Sequence, residues 1–163
     1  MNSFDREIHE ECGVFGIYGV EDAANLVYYG LHALQHRGQE GCGIVSRDDS
    51  GKLHRIKGEG LVTEIFNSSN IKSLPGNVRY STTGGGGIEN VQPFLFHHNT
   101  GDFAIAHNGN IVNSQQLRRY LEDHGTLFQS SSDSEILAHL IRKDPRERKR
   151  PRIFAIKDAL NMI

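Results

Sequence analysis

Cys12-Gly13-Val14-Phe15-Gly16-Ile17-Tyr18 is a short apolar run that ends at Gly19, and it reads as a buried strand opening the folded part of the chain. Upstream, residues 1–11 are polar and acidic and read as a leader outside the core. Downstream, Glu21 to Gln35 carries Leu26, Tyr29, Leu31 and Leu34 at helical spacing and is expected to be a helix. Gly43 to Arg47 and Lys52 to Lys57 flank Asp48-Asp49-Ser50-Gly51, a hairpin signal. Asn77 to Ser81 reads as a further strand, followed by a glycine loop from Thr82 to Gly87. Phe94 to His97 and Phe103 to His107 read as strands around Asn99-Thr100-Gly101. Ser114 to His124, Ser132 to Arg142 and Phe154 to Ile163 are the remaining expected helices, the second with Ser131 or Ser132 as its N-cap. Hairpins dominate the strands, so the fold class is α+β, with mainly antiparallel sheets and helices packed on their faces.

The bulk composition narrows the function. A chain of 163 residues can bury one core, and 37% apolar with 23% charged residues is the balance of a globular protein. The net charge of -2 argues against nucleic-acid binding. Two cysteines, Cys12 and Cys42, make no disulfide framework and point to a reducing, cytoplasmic setting. No apolar run approaches the roughly 20 residues of a membrane span, and residues 1–11 have no apolar signal-peptide core. Glycine, at 18 residues, is often set beside polar residues, which suggests backbone approaching a ligand.

Several residues could carry chemistry, each with an ordinary alternative. A buried cysteine is usually an inert small hydrophobe. Cys12 differs if residues 1–11 are removed. Its own α-amine, with a pKa of about 7.7–8.0, could then act as the base of an N-terminal nucleophile. Arg79, at the end of a strand, is either a surface charge or a fork for a carboxylate. The loop Thr82-Thr83-Gly84-Gly85-Gly86-Gly87 lacks the Gly-Lys-Ser/Thr of a phosphate loop and reads as a flap over a small ligand. His107-Asn108-Gly109-Asn110 is either a plain Asn-Gly turn or an oxyanion site built from the Asn108 amide and the Gly109 N–H. Asp133, near a helix start, either complements the helix dipole or receives an ammonium group. His32 and His36 are four apart on one helix, yet no third ligand is evident, so no metal site is expected. Arg37 could be a core-facing charge bonding carbonyls. The basic run from 142 to 152 reads as a solvated loop, because acids interrupt it and no aromatic is interleaved.

Taken in order, these segments carry a resemblance. Cys12-Gly-Val-Phe-Gly, Leu34-Gln-His-Arg-Gly-Gln-Glu-Gly41, Val78-Arg-Tyr-Ser-Thr82, Ala106-His-Asn-Gly-Asn110 and Ser131-Ser-Asp-Ser-Glu135 resemble the class II glutamine amidotransferases, which are N-terminal nucleophile (Ntn) hydrolases. Leu-Gln-His-Arg-Gly-Gln-Glu and Val-Arg-Tyr are similar to the amidophosphoribosyltransferase branch. The glucosamine-6-phosphate synthases have different residues at both places.

The resemblance implies an αββα four-layer sandwich, incomplete at the C-terminus, in which residues 1–11 are a cleaved leader and 12–163 a partial amidotransferase domain. It implies that Cys12 attacks the glutamine carboxamide, that Asn108 and Gly109 hold the oxyanion, that Arg79 and Thr82 bind the α-carboxylate, that Asp133 binds the α-amino group, and that Arg37 supports the site. It further implies that ammonia passes to phosphoribosyl pyrophosphate to give 5-phosphoribosylamine, the first step of purine synthesis. No cofactor is expected within this chain. Mg2+ and the 4Fe–4S cluster of the leader-bearing branch are expected only in a following phosphoribosyltransferase domain, and a homo-oligomer only at full length. The alternatives are a catalytically silent glutamine-binding fragment and an amidotransferase serving another acceptor such as fructose 6-phosphate. Two departures bear on the loops: Asn77 stands where His is usual, and Ser81-Thr82-Thr83-Gly84 where Ala or Pro, then Thr-Ala-Gly, is usual.

Overall fold

The computed structural model describes residues 12–20, 22–74, 78–83, 87–99, 101–143 and 151–163, with the backbone alone at 78–83. The leader therefore lies outside the described residues, as do Asn77, Gly84 to Gly86 and most of the basic run. The first sheet contains β1 (Gly13–Tyr18), β2 (Gly41–Arg47), β3 (Leu53–Glu59) and β4 (Val78–Thr83), ordered β1-β4-β2-β3 with every neighbour antiparallel. A second sheet pairs β5 (Phe94–Phe96) with β6 (Phe103–Ile105), again antiparallel. The helices are α1 (Ala23–Leu34), α2 (Val62–Ile65), α3 (Ser68–Lys72), α4 (Ser114–Asp123), α5 (Ser134–Lys143) and α6 (Arg152–Leu160).

The layers follow from which faces are apolar. Val27 and Leu31 of α1, Val62 of α2 and Ile71 of α3 form one core with Cys42 and Ile44 of β2. The opposite face of β2 is covered too. Val45 is buried, and a Cβ on Gly43 would collide with the carbonyl of Gln92 and stand 3.1 Å from Pro93 Cδ. The chain leading into β5 thus lies directly on the first sheet. The second sheet is backed in turn by α4, α5 and α6, whose core takes in Ile105 of β6. Helices, sheet, sheet and helices give the α+β, mainly antiparallel architecture of the sequence reading.

Some expectations need correction. On α1 the buried residues are Ala23, Ala24, Val27 and Leu31, while Leu26 and Tyr29 are exposed. Two small alanines thus join Val27 and Leu31 on the inner face, and α1 packs closely on β1. Gly30 shows how closely: an added Cβ would stand 2.7 Å from Cγ of Phe15. The two short helices α2 and α3 were not foreseen. The second has a readable signal, since Asn67 Oδ1 accepts the N–H groups of Ser69 and Asn70 while Asn70 Oδ1 accepts that of Asn67. The strand β4 extends through Thr82 and Thr83, which the sequence assigned to a loop. Those residues are the register partners of Val14 and Gly13, so sheet pairing claims them. The α5 helix begins at Ser134, two residues later than expected, and α6 at Arg152, two earlier and directly after Pro151.

Candidate active site

Cys12 is half-buried and immediately precedes β1. Gly13 brings the end of α1 close, since a Cβ there would stand 3.1 Å from Leu34 Cβ. After Leu34 the chain makes a 3-10 turn over Gln35–Arg37. Gln35 fixes that turn, donating from Nε2 to the Gly38 carbonyl at 2.6 Å and accepting the Val62 N–H at 2.6 Å. Arg37 is thereby delivered to Cys12, and its Nε donates to the Cys12 carbonyl at 3.0 Å.

The same carbonyl has a second donor. Asn108 Nδ2 approaches it at 3.1 Å from the loop that follows β6. An amide carries two N–H groups, and the second has no partner among the described residues. Gly109 follows, and a Cβ there would stand 2.9 Å from His107 Nε2, so glycine lets the imidazole lie against the loop. The expected strand through His107 stops at Ile105 for a visible reason. The backbone of His107 is paired with the Gln92 side chain: its N–H donates to Gln92 Oε1 at 2.8 Å, and its carbonyl accepts from Gln92 Nε2 at 3.2 Å.

Asp133 closes the loop from the other side. Its Oδ2 accepts the Ile111 N–H at 2.6 Å, and Oδ1 accepts the Ser134 hydroxyl at 3.3 Å. A carboxylate has about four lone-pair directions, so acceptor capacity remains. The segment before it is held from three directions. Asn90 Oδ1 accepts the N–H groups of Ser131 and Ser132 at 3.0 and 3.1 Å. Arg118 Nη2 donates to the Ser130 carbonyl at 3.0 Å. Buried Glu135 accepts the N–H and hydroxyl of Ser130 at 2.8 and 2.7 Å. Burial by itself would raise the Glu135 pKa, but these donors, with Gln129 and His139, hold it below the ordinary carboxylate value. Ser132 accepts the Ser134 N–H at 3.3 Å, which is the part it takes at the helix start.

Arg37 and Asn108 therefore meet at the Cys12 carbonyl, while Asp133 is tied to the same loop three residues further on, at Ile111. Arg79 and Thr82 are placed by backbone register alone. Thr82 stands opposite Val14 and Gly43, near the cysteine end of β1, whereas Arg79 stands opposite Ile17 and Ser46. Ile17 lies five positions beyond Cys12, about 17 Å along a strand. Cys42 is not a competing nucleophile: burial foremost, and Glu64 beside it, push its thiol up to about 12. His36 Nδ1 faces the Ala33 carbonyl at 2.9 Å, and no group of three His, Cys, Asp or Glu among the described residues could hold a metal. No helix among the described residues is long and apolar enough to cross a membrane.

Sequence reasoning missed Gln92, Asn90 and Ser134. The contacts that join them to other parts of the site span 15 to 42 residues, and no local spacing reports such contacts.

Comparisons with known proteins place the chain among glutamine amidotransferases. A family model described as "Glutamine amidotransferase domain" matches residues 84–156. The chain is 54% identical over 159 residues to the amidophosphoribosyltransferase of Bacillus subtilis (strain 168), covering 94% of this chain and 32% of that protein. It is 47% identical over 162 residues to an amidophosphoribosyltransferase of Lacticaseibacillus casei, covering 96% of this chain and 81% of that one. A solved glutamine phosphoribosylpyrophosphate amidotransferase from B. subtilis, complexed with ADP and GMP, superposes with a TM-score of 0.85 at 48% identity, over 91% of this chain and 32% of that chain. This chain thus spans about a third of the B. subtilis relative it matches.

Proposed function

The chain belongs to the amidophosphoribosyltransferase family, and on that premise we propose that it hydrolyses glutamine with Cys12 as nucleophile and supplies ammonia for 5-phosphoribosylamine synthesis. The Cys12 sulfur attacks the carboxamide carbon of glutamine. The α-amine of Cys12, once residues 1–11 are removed, takes the thiol proton and later returns it to the leaving nitrogen. The second N–H of the Asn108 amide and the N–H of Gly109 hold the oxyanion. Collapse of the tetrahedral adduct releases ammonia and leaves a thioester, which water hydrolyses to glutamate. Arg37 acts as a support, fixing the Cys12 main chain through its carbonyl.

Arg79 and Thr82 are assigned the α-carboxylate of glutamine and Asp133 its α-ammonium group. The released ammonia is assigned to phosphoribosyl pyrophosphate, bound by a phosphoribosyltransferase domain of the kind that the longer relatives contain. Mg2+ and a 4Fe–4S cluster are assigned to that region as well, and no step here runs through them. The protein is assigned to the cytoplasm and, at full length, to a homo-oligomer.

The observation carrying the reading is the 3.1 Å contact between Asn108 Nδ2 and the Cys12 carbonyl, which joins two sequence motifs 96 residues apart. The test is mass spectrometry after treatment with 6-diazo-5-oxo-norleucine, an electrophilic glutamine analogue. Active protein is expected to carry one adduct, on Cys12 at a mature N-terminus. An adduct elsewhere, or active enzyme that still retains Met1, overturns the mechanism.

A further inference from the structure

We propose that Gln92 is a positioning residue for glutamine hydrolysis, aiming Asn108 by holding both backbone groups of the residue before it. The proposal rests on the reading of Asn108 as an oxyanion donor. The two bonds between the Gln92 amide and His107, at 2.8 and 3.2 Å, reproduce with a side chain the paired N–H and C=O exchange between facing strand residues. They start where the β5-β6 ladder ends, at the Phe94–Ile105 pair. The third capacity of the amide is also used, because Nε2 lies 3.3 Å from Ser134 Oγ. Ser134 is buried, and its hydroxyl lies 3.2 Å from His107 Nδ1 and 3.3 Å from Asp133 Oδ1. One side chain thus ties the Asn108 loop to the first residue of α5 and, through it, to Asp133.

Gln92 is itself held against the first sheet. Lys57 Nζ donates to the Val91 carbonyl at 3.0 Å and the Ile88 carbonyl at 2.6 Å, and the Gln92 carbonyl lies over Gly43 of β2. A continuous path runs from the sheet that carries Cys12, through Gln92, to His107, Asn108 and back to the Cys12 carbonyl. An oxyanion donor works by standing in place before charge develops, and this path sets where Asn108 stands. The chemistry demands an amide. Glutamate could accept the His107 N–H but, ionised, could donate neither to the His107 carbonyl nor to Ser134. Asn90 makes a comparable set of bonds, but to Ser131 and Ser132, away from the oxyanion loop.

The test is steady-state glutamine hydrolysis by the full-length protein bearing Gln92→Glu, with Gln92→Asn as the milder variant should the first not fold. A lost clamp displaces Asn108 rather than glutamine, so kcat is expected to fall about 100-fold while KM moves less than about threefold. The decisive readout is a double-mutant cycle: in an Asn108→Ala background the Gln92 substitution is expected to cost little more. Wild-type kcat in both Gln92 variants overturns the proposal. An undiminished further loss in the Asn108→Ala background also overturns it, since Gln92 would then act elsewhere. If Asn108→Ala alone hydrolyses glutamine normally, the oxyanion reading fails first and this proposal with it, a result the single variants distinguish.

Discussion

Asn108 and Cys12 are joined side chain to main chain, Nδ2 to carbonyl oxygen at 3.1 Å, with 96 positions of chain between them. Two roles for Asn108 follow from one contact: it can fix the cysteine main chain, and it can offer its second N–H to a reacting oxygen.

The two roles separate by choice of reagent. Asn108→Ala is expected to lower kcat for glutamine hydrolysis by about 10²–10³, or about 2.7–4 kcal/mol of transition-state stabilisation. Alkylation of Cys12 by iodoacetamide forms no oxyanion and is expected to change far less. Comparing the two rates checks this: an equal fall in both would mean that Asn108 only holds the cysteine in position.

The two cysteines should differ sharply in reactivity. Cys42 is fully buried, with its thiol raised to about 12, so almost none is thiolate at pH 8. Cys12 is partly accessible. Peptide mapping after brief alkylation of native protein at pH 8 is expected to find Cys12 modified and Cys42 untouched until denaturant is added.

Glu135 should make stability depend on acid pH. Its folded pKa lies below the ordinary value of 4.5, so its contribution is complete above about 4.5 and is lost as pH falls through the lowered folded value. Glu135→Gln is expected to cost about 2 kcal/mol at neutral pH, because donors to a buried carboxylate lose their charged acceptor. The variant should also show a flatter stability profile below pH 4.5, measurable by urea titration across the acid range. An unchanged slope would show that other carboxylates dominate.

At Gly30 two effects oppose each other. Alanine in a helix interior gains about 0.8–1.0 kcal/mol in propensity over glycine. The added methyl meets the Phe15 ring, with Cγ at 2.7 Å, and such overpacking costs about 1–3 kcal/mol. Gly30→Ala is therefore expected to be net destabilising, and Gly30→Ala with Phe15→Leu less so. A melting temperature above wild type for the single variant would show that α1 shifts freely on β1.

What the sequence displayed were features with local causes. The Asp48-Asp49-Ser50-Gly51 turn is legible because Gly51 adopts a φ of +90° and Asp48 Oδ1 accepts the Lys52 N–H at 2.9 Å, both within the turn itself. The motif residues Cys12, Asn108 and Asp133 were legible as residue types in a known order, and the fold joins the first two directly. The inner face of α1 was read only in part: Leu31 is buried as expected, but Ala23, Ala24 and Val27 accompany it in place of Leu26 and Tyr29. The position of β4 between β1 and β2 was hidden as well, because sheet order is decided by contacts that no short window contains. Gln92 was hidden for the same reason: its meaning lies in His107 and Ser134, not in its neighbours.

The two described tethers on Cys12, from Arg37 and from Asn108, grip the carbonyl side of the residue. Hydrolysis of the Glu11–Cys12 bond would therefore sever the chain on the opposite flank and leave both tethers in place. If Cys12 is the first residue of the active protein, as proposed, its freed nitrogen lies on the side of the residue away from these two bonds.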